Sequence, residues 1–476
     1  VSGSAGTLMA GISGVRGIVG EGLDSGVASD YASAYATMCG EGPILLARDP
    51  RISGEMLREA VVETLTGAGR TVVDLGVVPT PTLLLNTALL GAAGGIMITA
   101  SHNPIEWNGL KFADPSGRYL APEASKQLIA EVEGIHRAGA EGGRKDGLRD
   151  GRRDGRRAGA GRSGQLREDV GAAGRHRELA ARARGVDTGA IAGAGLKVVV
   201  DGGGGAASWI VPSFLGGCGV QVHTLHCDPD GTFPRPPEPL PDALTDLGRA
   251  VEETGSDLGL ALDPDGDRLA LVGPDGAPLG EEVTLALAAR QVLTAAPGPV
   301  VTNLSTSRML DDVAKEAHTR LFRTPVGEIN VAEGMLAEDA VVGGEGNGGV
   351  IHRDVVMGRD GLTAAALILS ALAGSGNDLP GLRSAIPGYA MLKSRYALPD
   401  DGVAGLGRRL QELPSAYPGA RADERDGLRL DWEDRWVHIR PSNTEPIVRL
   451  ISEAPTAEGA RELAEGAAAR MDLRSE

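Results

Sequence analysis

Gly94-Gly-Ile-Met-Ile-Thr-Ala-Ser-His-Asn-Pro104 is the stretch on which the reading of this chain turns. Its first five residues are apolar or glycine and are bounded by turn formers, which predicts a buried strand over 94–98. Asn103-Pro104 ends that strand, because proline removes a backbone donor and restricts the residue before it. Ser101 therefore stands on a turn at the carboxyl end of a strand, the edge at which open α/β sheets bind their ligands. A serine there, with His102 beside it and Lys111 further on, is a candidate nucleophile with acid–base groups in reach. The plain alternative is turn chemistry alone, since Ser and Asn favour turns in any case.

Working outward, residues 43–47 and 71–75 read as strands and 55–65 as a helix. A second helix over about 123–138 places Leu128, Val132 and Ile135 on one face. Such alternation predicts a mainly parallel sheet covered by helices. From about 138 to 185 the pattern stops. Arg144 to Arg157 is almost free of apolar residues and repeats Gly, Arg and Asp, too little to offset the entropy of ordering it. The segment reads as a disordered or poorly packed linker, and the abrupt return of ordinary sequence at Val186 points to a local shift of reading frame in the gene. Strands follow at 197–201 and 258–262, with Gly202 to Gly205 opening a helix by close packing rather than as a phosphate loop. Another unit begins near Pro299 and closes in a helix over 362–372; the last has strands at 436–440 and 447–451 and a helix from Ala457 to about Met471. No close internal repeat is visible, although the first three units share one strand–helix rhythm.

The 476 residues suffice for about three or four domains. Aromatic residues make up only 3% and the net charge is −17, which argues against nucleic acid or an anionic membrane as partner. Cys39, Cys218 and Cys227 are odd in number and scattered, as expected of a reducing cytosol. No basic-then-apolar leader and no span long enough for a bilayer is visible, so the expected location is the cytoplasm.

Three further stretches carry chemistry. Asp263-Pro-Asp265-Gly-Asp267-Arg268 sets carboxylates at alternate positions of a glycine-turned loop, where they can converge on one hard cation such as Mg²⁺. It is not a calcium EF-hand loop, because the twelfth position is Pro274 instead of a bidentate glutamate. A phosphatase with Asp263 as nucleophile is the competing enzyme reading, and a sugar-phosphate binding protein without catalysis is the third. Arg440-Pro-Ser442-Asn443-Thr444-Glu-Pro446, with Arg449 beyond it, offers guanidinium, hydroxyl and amide donors suited to phosphate. Glu345 and Asn347 stand in Gly344-Glu-Gly-Asn-Gly-Gly349, where bare backbone lets a sugar approach. Ser13-Gly-Val-Arg16-Gly17 and Arg48-Asp-Pro-Arg51-Ile-Ser-Gly54 read, each alone, as turn glycines beside solvated arginines. His223, His226 and Cys227 lack a fourth ligand at useful spacing and read as structural.

In this order the four stretches resemble the α-D-phosphohexomutase family. The resemblance implies three similar mixed-sheet α/β domains and a smaller C-terminal α+β domain around a central cleft. The units expected are 1–137, a linker at 138–185, then 186–298, 299–385 and 386–476. By matching residue, Ser101 is similar to the phosphorylated serine, which also contributes to the metal site with Asp263, Asp265 and Asp267. Arg16 and Lys111 resemble the basic pair that assists proton transfer. Glu345, with Gly327 and Asn347, resembles the sugar-reading group. Arg440, Ser442, Asn443, Thr444 and Arg449 resemble the cradle for the phosphate that is not transferring. The implied activity moves a phosphoryl group between the 6- and 1-positions of a hexose phosphate through a 1,6-bisphosphate, with Mg²⁺ as cofactor and hexose 1,6-bisphosphate as activator. Many members carry Ser where Asn347 stands, and the Asn-Gly-Gly form resembles a branch assigned to phosphoglucosamine mutases. Glucosamine phosphate is thus expected ahead of mannose or glucose phosphate, with the protein a monomer or a dimer.

Overall fold

The computed structural model describes residues 8–142, 164–442 and 447–474. They form four sheets. In the first, the strands run in the order Leu8–Gly11, Gly14–Ile18, Trp107–Ala113, Gly94–Ile98, Ile44–Arg48, Val72–Val77, Leu166–Glu168. The second is ordered Leu269–Val272, Leu258–Leu262, Lys197–Asp201, Gln221–Leu225, and the third Leu321–Thr324, Val300–Asn303, Val342–Glu345, Gly349–His352. The fourth is wholly antiparallel, Ala390–Ala397, Ile447–Ala454, Trp436–Pro441, Leu428–Asp431, Arg421–Asp423.

One device recurs in the first three sheets. A buried strand lies parallel to its neighbour, leaves the sheet in a short loop, and returns antiparallel to itself. Gly94–Ile98 returns as Trp107–Ala113, Leu258–Leu262 as Leu269–Val272, and Val342–Glu345 as Gly349–His352. Each loop thus hangs from the carboxyl end of a parallel strand. The mixed sheets agree with the expected fold class. The antiparallel returns are what a purely parallel reading would have missed.

Helix Gly361–Ser375 is apolar on nearly every face, and its residues from Gly361 to Ser370 are all buried. It packs against Glu281–Ala295, Thr188–Ala194 and Ala172–Arg182, so that one continuous apolar cluster spans the second and third sheets. Helix Glu281–Ala295 lies against strands of both sheets. No helix among the described residues is long and apolar enough to cross a membrane.

The expected linker differs in its second half. Leu166–Glu168 adds a parallel edge strand beside Val72–Val77, and Ala172–Arg182 is a helix with Ala172, Ala173, His176 and Ala180 buried. Its small apolar residues lie at helical spacing on the buried face, a pattern masked in the sequence by the arginines between them. Of the stretch 138–185 that reads as a shifted frame, residues 143–163 lie outside the described residues. Two smaller differences concern helices. Leu128 and Val132 are buried, but Ile135 on the same helix is exposed. The helix after Gly202 to Gly205 begins only at Ile210, while the glycines pack closely, a Cβ on Gly205 falling 2.7 Å from the Pro264 Cα.

Candidate active site

Ser101 is buried and has φ +50°, a left-handed conformation uncommon for a residue with a Cβ. Its amide donates to Thr99 Oγ1 (2.8 Å), its carbonyl accepts from Arg51 Nη2 (2.6 Å), and its Oγ lies 3.4 Å from His102 Nδ1. That nitrogen also faces Arg268 Nη2 at 3.0 Å. A guanidinium can only donate, so Nδ1 is an acceptor and His102 carries its proton on Nε2. The Arg268 charge, with burial and Arg359, holds the imidazole well below its usual range, hence neutral. Arg16 Nη1 reaches the same loop through Asn103 Oδ1 at 3.0 Å.

Asp263, Asp265 and Asp267 are fully buried, and one carboxylate oxygen from each lies within 4.8 Å of the others. Each carboxylate is half engaged. Asp263 Oδ1 accepts from the amides of Asp267 (3.0 Å) and Arg268 (3.1 Å). Asp265 Oδ2 accepts from Thr80 Oγ1 and Lys111 Nζ, both at 2.8 Å, and Asp267 Oδ2 from Arg359 Nη2 at 2.6 Å. The second oxygens, Asp263 Oδ2, Asp265 Oδ1 and Asp267 Oδ1, are buried without a hydrogen-bond partner among the described residues. Arg268 Nε comes only to 3.9 Å from Asp263 Oδ2 and from Asp267 Oδ1, too far for a hydrogen bond, so three buried carboxylate oxygens without one are costly unless a cation joins them. The donor set is all oxygen and anionic, which fits Mg²⁺. Burial and the two neighbouring carboxylates push Asp263 well up. Burial acts upward on Asp265 too, but the Lys111 ammonium overcomes it and holds that carboxyl down. Burial would lower Lys111, yet Asp265 and its neighbours raise it above its usual value, so it stands there as an ammonium.

A residue with no motif of its own ties the second loop to the third. Arg359 donates to Asp267 Oδ2 and, from Nη1, to Glu345 Oε2 at 3.0 Å, while its Nε lies 3.2 Å from Glu328 Oε2. Glu345 also accepts on Oε1 from Asn303 Nδ2 (2.8 Å) and the Gly327 amide (3.1 Å). Burial pushes it up, but Arg359 and these donors prevail and hold it below its usual value. Asn347 turns its Oδ1 back to the Gly349 amide at 3.3 Å. Glu328, buried beside Asp267, is pushed up to about 7 by burial against the pull of Arg359.

In the fourth sheet Arg440 stands directly opposite Arg449. Like charges in that register repel unless an anion lies between them. Burial, helped by Arg449 and opposed by Asp426 and Glu345, holds the Arg440 guanidinium below its usual range, and its Nε is buried without a hydrogen-bond partner among the described residues. Ser442 follows at the rim of the loop; Asn443 and Thr444 lie outside the described residues.

The reading of 48–54 as a solvated turn fails at Arg51, which is fully buried and bonded to the Ser101 loop. Arg359, Glu328 and Thr80 also went unmarked in the sequence. His223 and Cys227 hold no metal cluster among the described residues; Cys227 donates to the Val200 carbonyl.

The chain matches the phosphoglucomutase/phosphomannomutase alpha/beta/alpha domain I over residues 7–138, domain II over 178–276, domain III over 281–389 and the C-terminal domain over 403–470. It is 38% identical over 456 residues, 95% of each chain, to a probable phosphoglucosamine mutase of Methanopyrus kandleri. It is 36% identical to a phosphoglucomutase/phosphomannomutase of Thermococcus kodakarensis, over 95% of this chain and 96% of that one. A crystal structure of a phosphoglucomutase/phosphomannomutase family protein from Burkholderia thailandensis superposes with a TM-score of 0.81 at 26% identity, over 98% of this chain and 99% of that one.

Proposed function

Because the chain belongs to the phosphoglucomutase/phosphomannomutase family, we propose that it is a mutase interconverting glucosamine 6-phosphate and glucosamine 1-phosphate through a phosphoserine at Ser101. The observation that carries the reading is the set of three orphaned carboxylate oxygens, tied to the Ser101 loop through Lys111 and through Arg268 on His102. A buried anionic trio of this kind serves a cation beside a transferring phosphoryl group, where positioning and charge neutralisation supply most of the catalysis. Glucosamine phosphate is preferred to mannose or glucose phosphate on the Asn347 loop and on the name of the 38% relative.

In this reading the P–Oγ bond of phosphoserine breaks as the free sugar hydroxyl forms its own bond to phosphorus. The proton the hydroxyl gives up is balanced by the one Ser101 Oγ regains. The product is a 1,6-bisphosphate; turned end for end, it returns its other phosphoryl group to Ser101. Asp263, Asp265, Asp267 and the Ser101 phosphate would hold Mg²⁺, which when bound would supply positive charge beside the transferring oxygens. Lys111 and Arg16 hold the loop and the phosphate as cations. Glu345 accepts sugar hydroxyls at Gly327 and Asn347. Arg440, Arg449, Ser442, Asn443 and Thr444 grip the phosphate that stays.

The test is a panel of hexose 6-phosphates with Mg²⁺ and a trace of hexose 1,6-bisphosphate, assayed in parallel. The expected result is fastest turnover of glucosamine 6-phosphate. Faster turnover of mannose or glucose 6-phosphate moves the substrate assignment, and release of inorganic phosphate alone replaces the mutase reading with a phosphatase.

A further inference from the structure

We propose that Arg51, with Asp49 and Thr99, is a positioning unit that grips the Ser101 peptide from both sides and sets the direction of its hydroxyl. The proposal rests on Ser101 as the phosphoryl carrier. The guanidinium of Arg51 has five N–H groups, and all five are used within one loop and one carboxylate. Nε donates to Asp49 Oδ2 (3.0 Å). Nη1 donates to the carbonyls of Pro104 (2.6 Å) and Trp107 (3.0 Å). Nη2 donates to those of Ser101 (2.6 Å) and Asn103 (2.8 Å). The same Asp49 Oδ2 accepts from Thr99 Oγ1 at 2.6 Å, and Thr99 Oγ1 in turn accepts the Ser101 amide at 2.8 Å. One buried ion pair thus holds the Ser101 carbonyl directly and its amide through a single hydroxyl.

Fixing both peptide planes fixes φ and ψ between them, and φ here is +50°. Left-handed backbone at a residue with a Cβ is strained and persists only where the surroundings impose it. A turn serving only to reverse the chain would place Gly or Asn there at no such cost. The ion pair is also sealed. Phe233, from the second unit, lies over the Arg51 guanidinium at 4.8 Å, and Gly231 packs on the Pro50 carbonyl so closely that a Cβ would fall 2.2 Å from it. Arg51 and Asp49 are both fully buried, where hydrogen bonds to charge are strongest and water does not compete.

The metal loop rests on the same arrangement. Arg235 Nε donates to Asp201 Oδ2 (2.7 Å) and its Nη2 to the carbonyl of Leu262 (2.6 Å), the residue before Asp263. In each case an aspartate at the end of a parallel strand orients a buried arginine onto backbone carbonyls, four of them in and beside the Ser101 loop for Arg51 and the single one of Leu262, at the end of the strand that precedes the metal loop, for Arg235.

Thr99→Val keeps the side-chain shape and removes the hydroxyl that links Asp49 to the Ser101 amide; Thr99→Ser keeps the hydroxyl. Arg51→Lys keeps the charge but cannot reach four carbonyls and a carboxylate at once. With glucosamine 6-phosphate, Thr99→Val is expected to lower kcat about tenfold or more with KM within about twofold, because the reacting atom is misaligned while the sugar site is untouched. Thr99→Ser is expected to restore most of the loss, and Arg51→Lys to lose more than Thr99→Val. Hydrogen exchange at the Ser101 amide, measured without substrate, is expected to be slow in the wild type and fast in Thr99→Val. If Arg51→Lys does not fold, the two Thr99 variants carry the test. Wild-type kcat and slow exchange in Thr99→Val overturn the proposal, as does a Thr99→Ser variant no better than Thr99→Val. Protection of the amide that depends on Thr99, in a wild type that never carries phosphate on Ser101, leaves the grip standing but removes its role in phosphoryl transfer and overturns the phosphoserine reading.

Discussion

Asp265 divides its carboxylate between two tasks, Oδ2 bonded to Lys111 and Thr80 and Oδ1 left open toward Asp263 and Asp267. Asparagine can do only one of them. Its oxygen turned to Lys111 aims an amide NH₂ at the cation, and the opposite rotamer aims NH₂ at the ammonium. Asp265→Asn should therefore raise the Mg²⁺ concentration needed for half-maximal turnover by about tenfold or more; an unchanged Mg²⁺ dependence, or full activity in excess EDTA, would remove the cation from this site. Ser101→Ala should abolish turnover and, by intact mass, the covalent phosphate expected on part of the wild type, while the melting temperature stays within a few degrees. Full activity without Ser101 would end the phosphoserine reading. At this scale the sequence was informative where the candidate site is built from consecutive residues, as at 99–104, 263–268 and 344–349. It was silent on Arg359 and Glu328 and misled on Arg51, whose four carbonyl partners lie 50 to 56 residues along the chain. Asp-Pro-Arg has the composition of a surface turn, and nothing local distinguishes an arginine that will face water from one that will bind four carbonyls.

The element that recurs is a strand, a loop and an antiparallel return, and the fourth sheet has its own version in Trp436–Pro441 and Ile447–Ala454. There the hairpin puts Arg440 and Arg449 opposite each other, and the repulsion of like charges in that register would be eased by a bound anion. Charge-assisted bonds of this kind are worth about 1.5–3 kcal/mol each. Arg440→Ala should cost roughly tenfold or more in kcat/KM for the sugar phosphate, and Arg440→Lys should recover only part, since a point charge lacks the two-pronged geometry. Hydrolysis of the Ser101 phosphate by water needs no second phosphate and should fall far less; an equal fall in both would assign Arg440 to the transferring centre instead. The seven strands read from the sequence were legible as short, mostly apolar runs beside turn residues, whereas the antiparallel returns Trp107–Ala113, Leu269–Val272 and Gly349–His352 were not read. The helix Ala172–Arg182 was not, because it is secured by a tertiary contact: His176 is buried with its Nε2 2.9 Å from Asp360 Oδ2 and its Nδ1 2.8 Å from Thr82 Oγ1. Those partners lie 184 and 94 residues away, beyond any local pattern.

Across the whole molecule the joints between units differ in kind. The second and third sheets share one apolar cluster, whereas the fourth meets the third through polar contacts. Glu453 Oε1 accepts from the Arg308 amide (2.9 Å), Asp431 Oδ1 from Arg308 Nη1 (2.7 Å) and Asp426 Oδ2 from the Val326 amide (2.9 Å), while His438 Nδ1 lies 2.8 Å from Ser305 Oγ. A polar joint separates at lower cost than an apolar one, which would suit the proposed cradle if, as in the mutase reading, it releases a bisphosphate, turns it and takes it back. Glu282 lies at this joint. Its Oε2 accepts from the Ser307 amide (2.9 Å), Lys393 Nζ of the fourth sheet lies 3.8 Å from its Oε1, and its carboxylate fills the space above Gly346. Burial pushes its carboxyl from the usual 4.5 up to about 8, with Lys393 opposing and Glu453 and Glu281 adding to the rise. A carboxyl raised on folding contributes stability in full below the unfolded value and loses it as pH climbs toward the folded one, because over that interval the native state holds the proton more tightly. Stability should therefore fall from about pH 5 to about pH 8 through this group and level off above. Glu282→Gln keeps the acceptor for Ser307 and cannot ionise. Its melting temperature should match the wild type near pH 5 and exceed it by a few degrees at pH 9, each kcal/mol being worth about 2–4 °C in a domain of ordinary size. Thermal melts of both proteins at the two pH values decide the point: an offset equal at pH 5 and pH 9 would mean that Glu282 does not titrate in this range, and a deficit that grows with pH would mean that its charge, paired with Lys393, holds the fourth sheet in place.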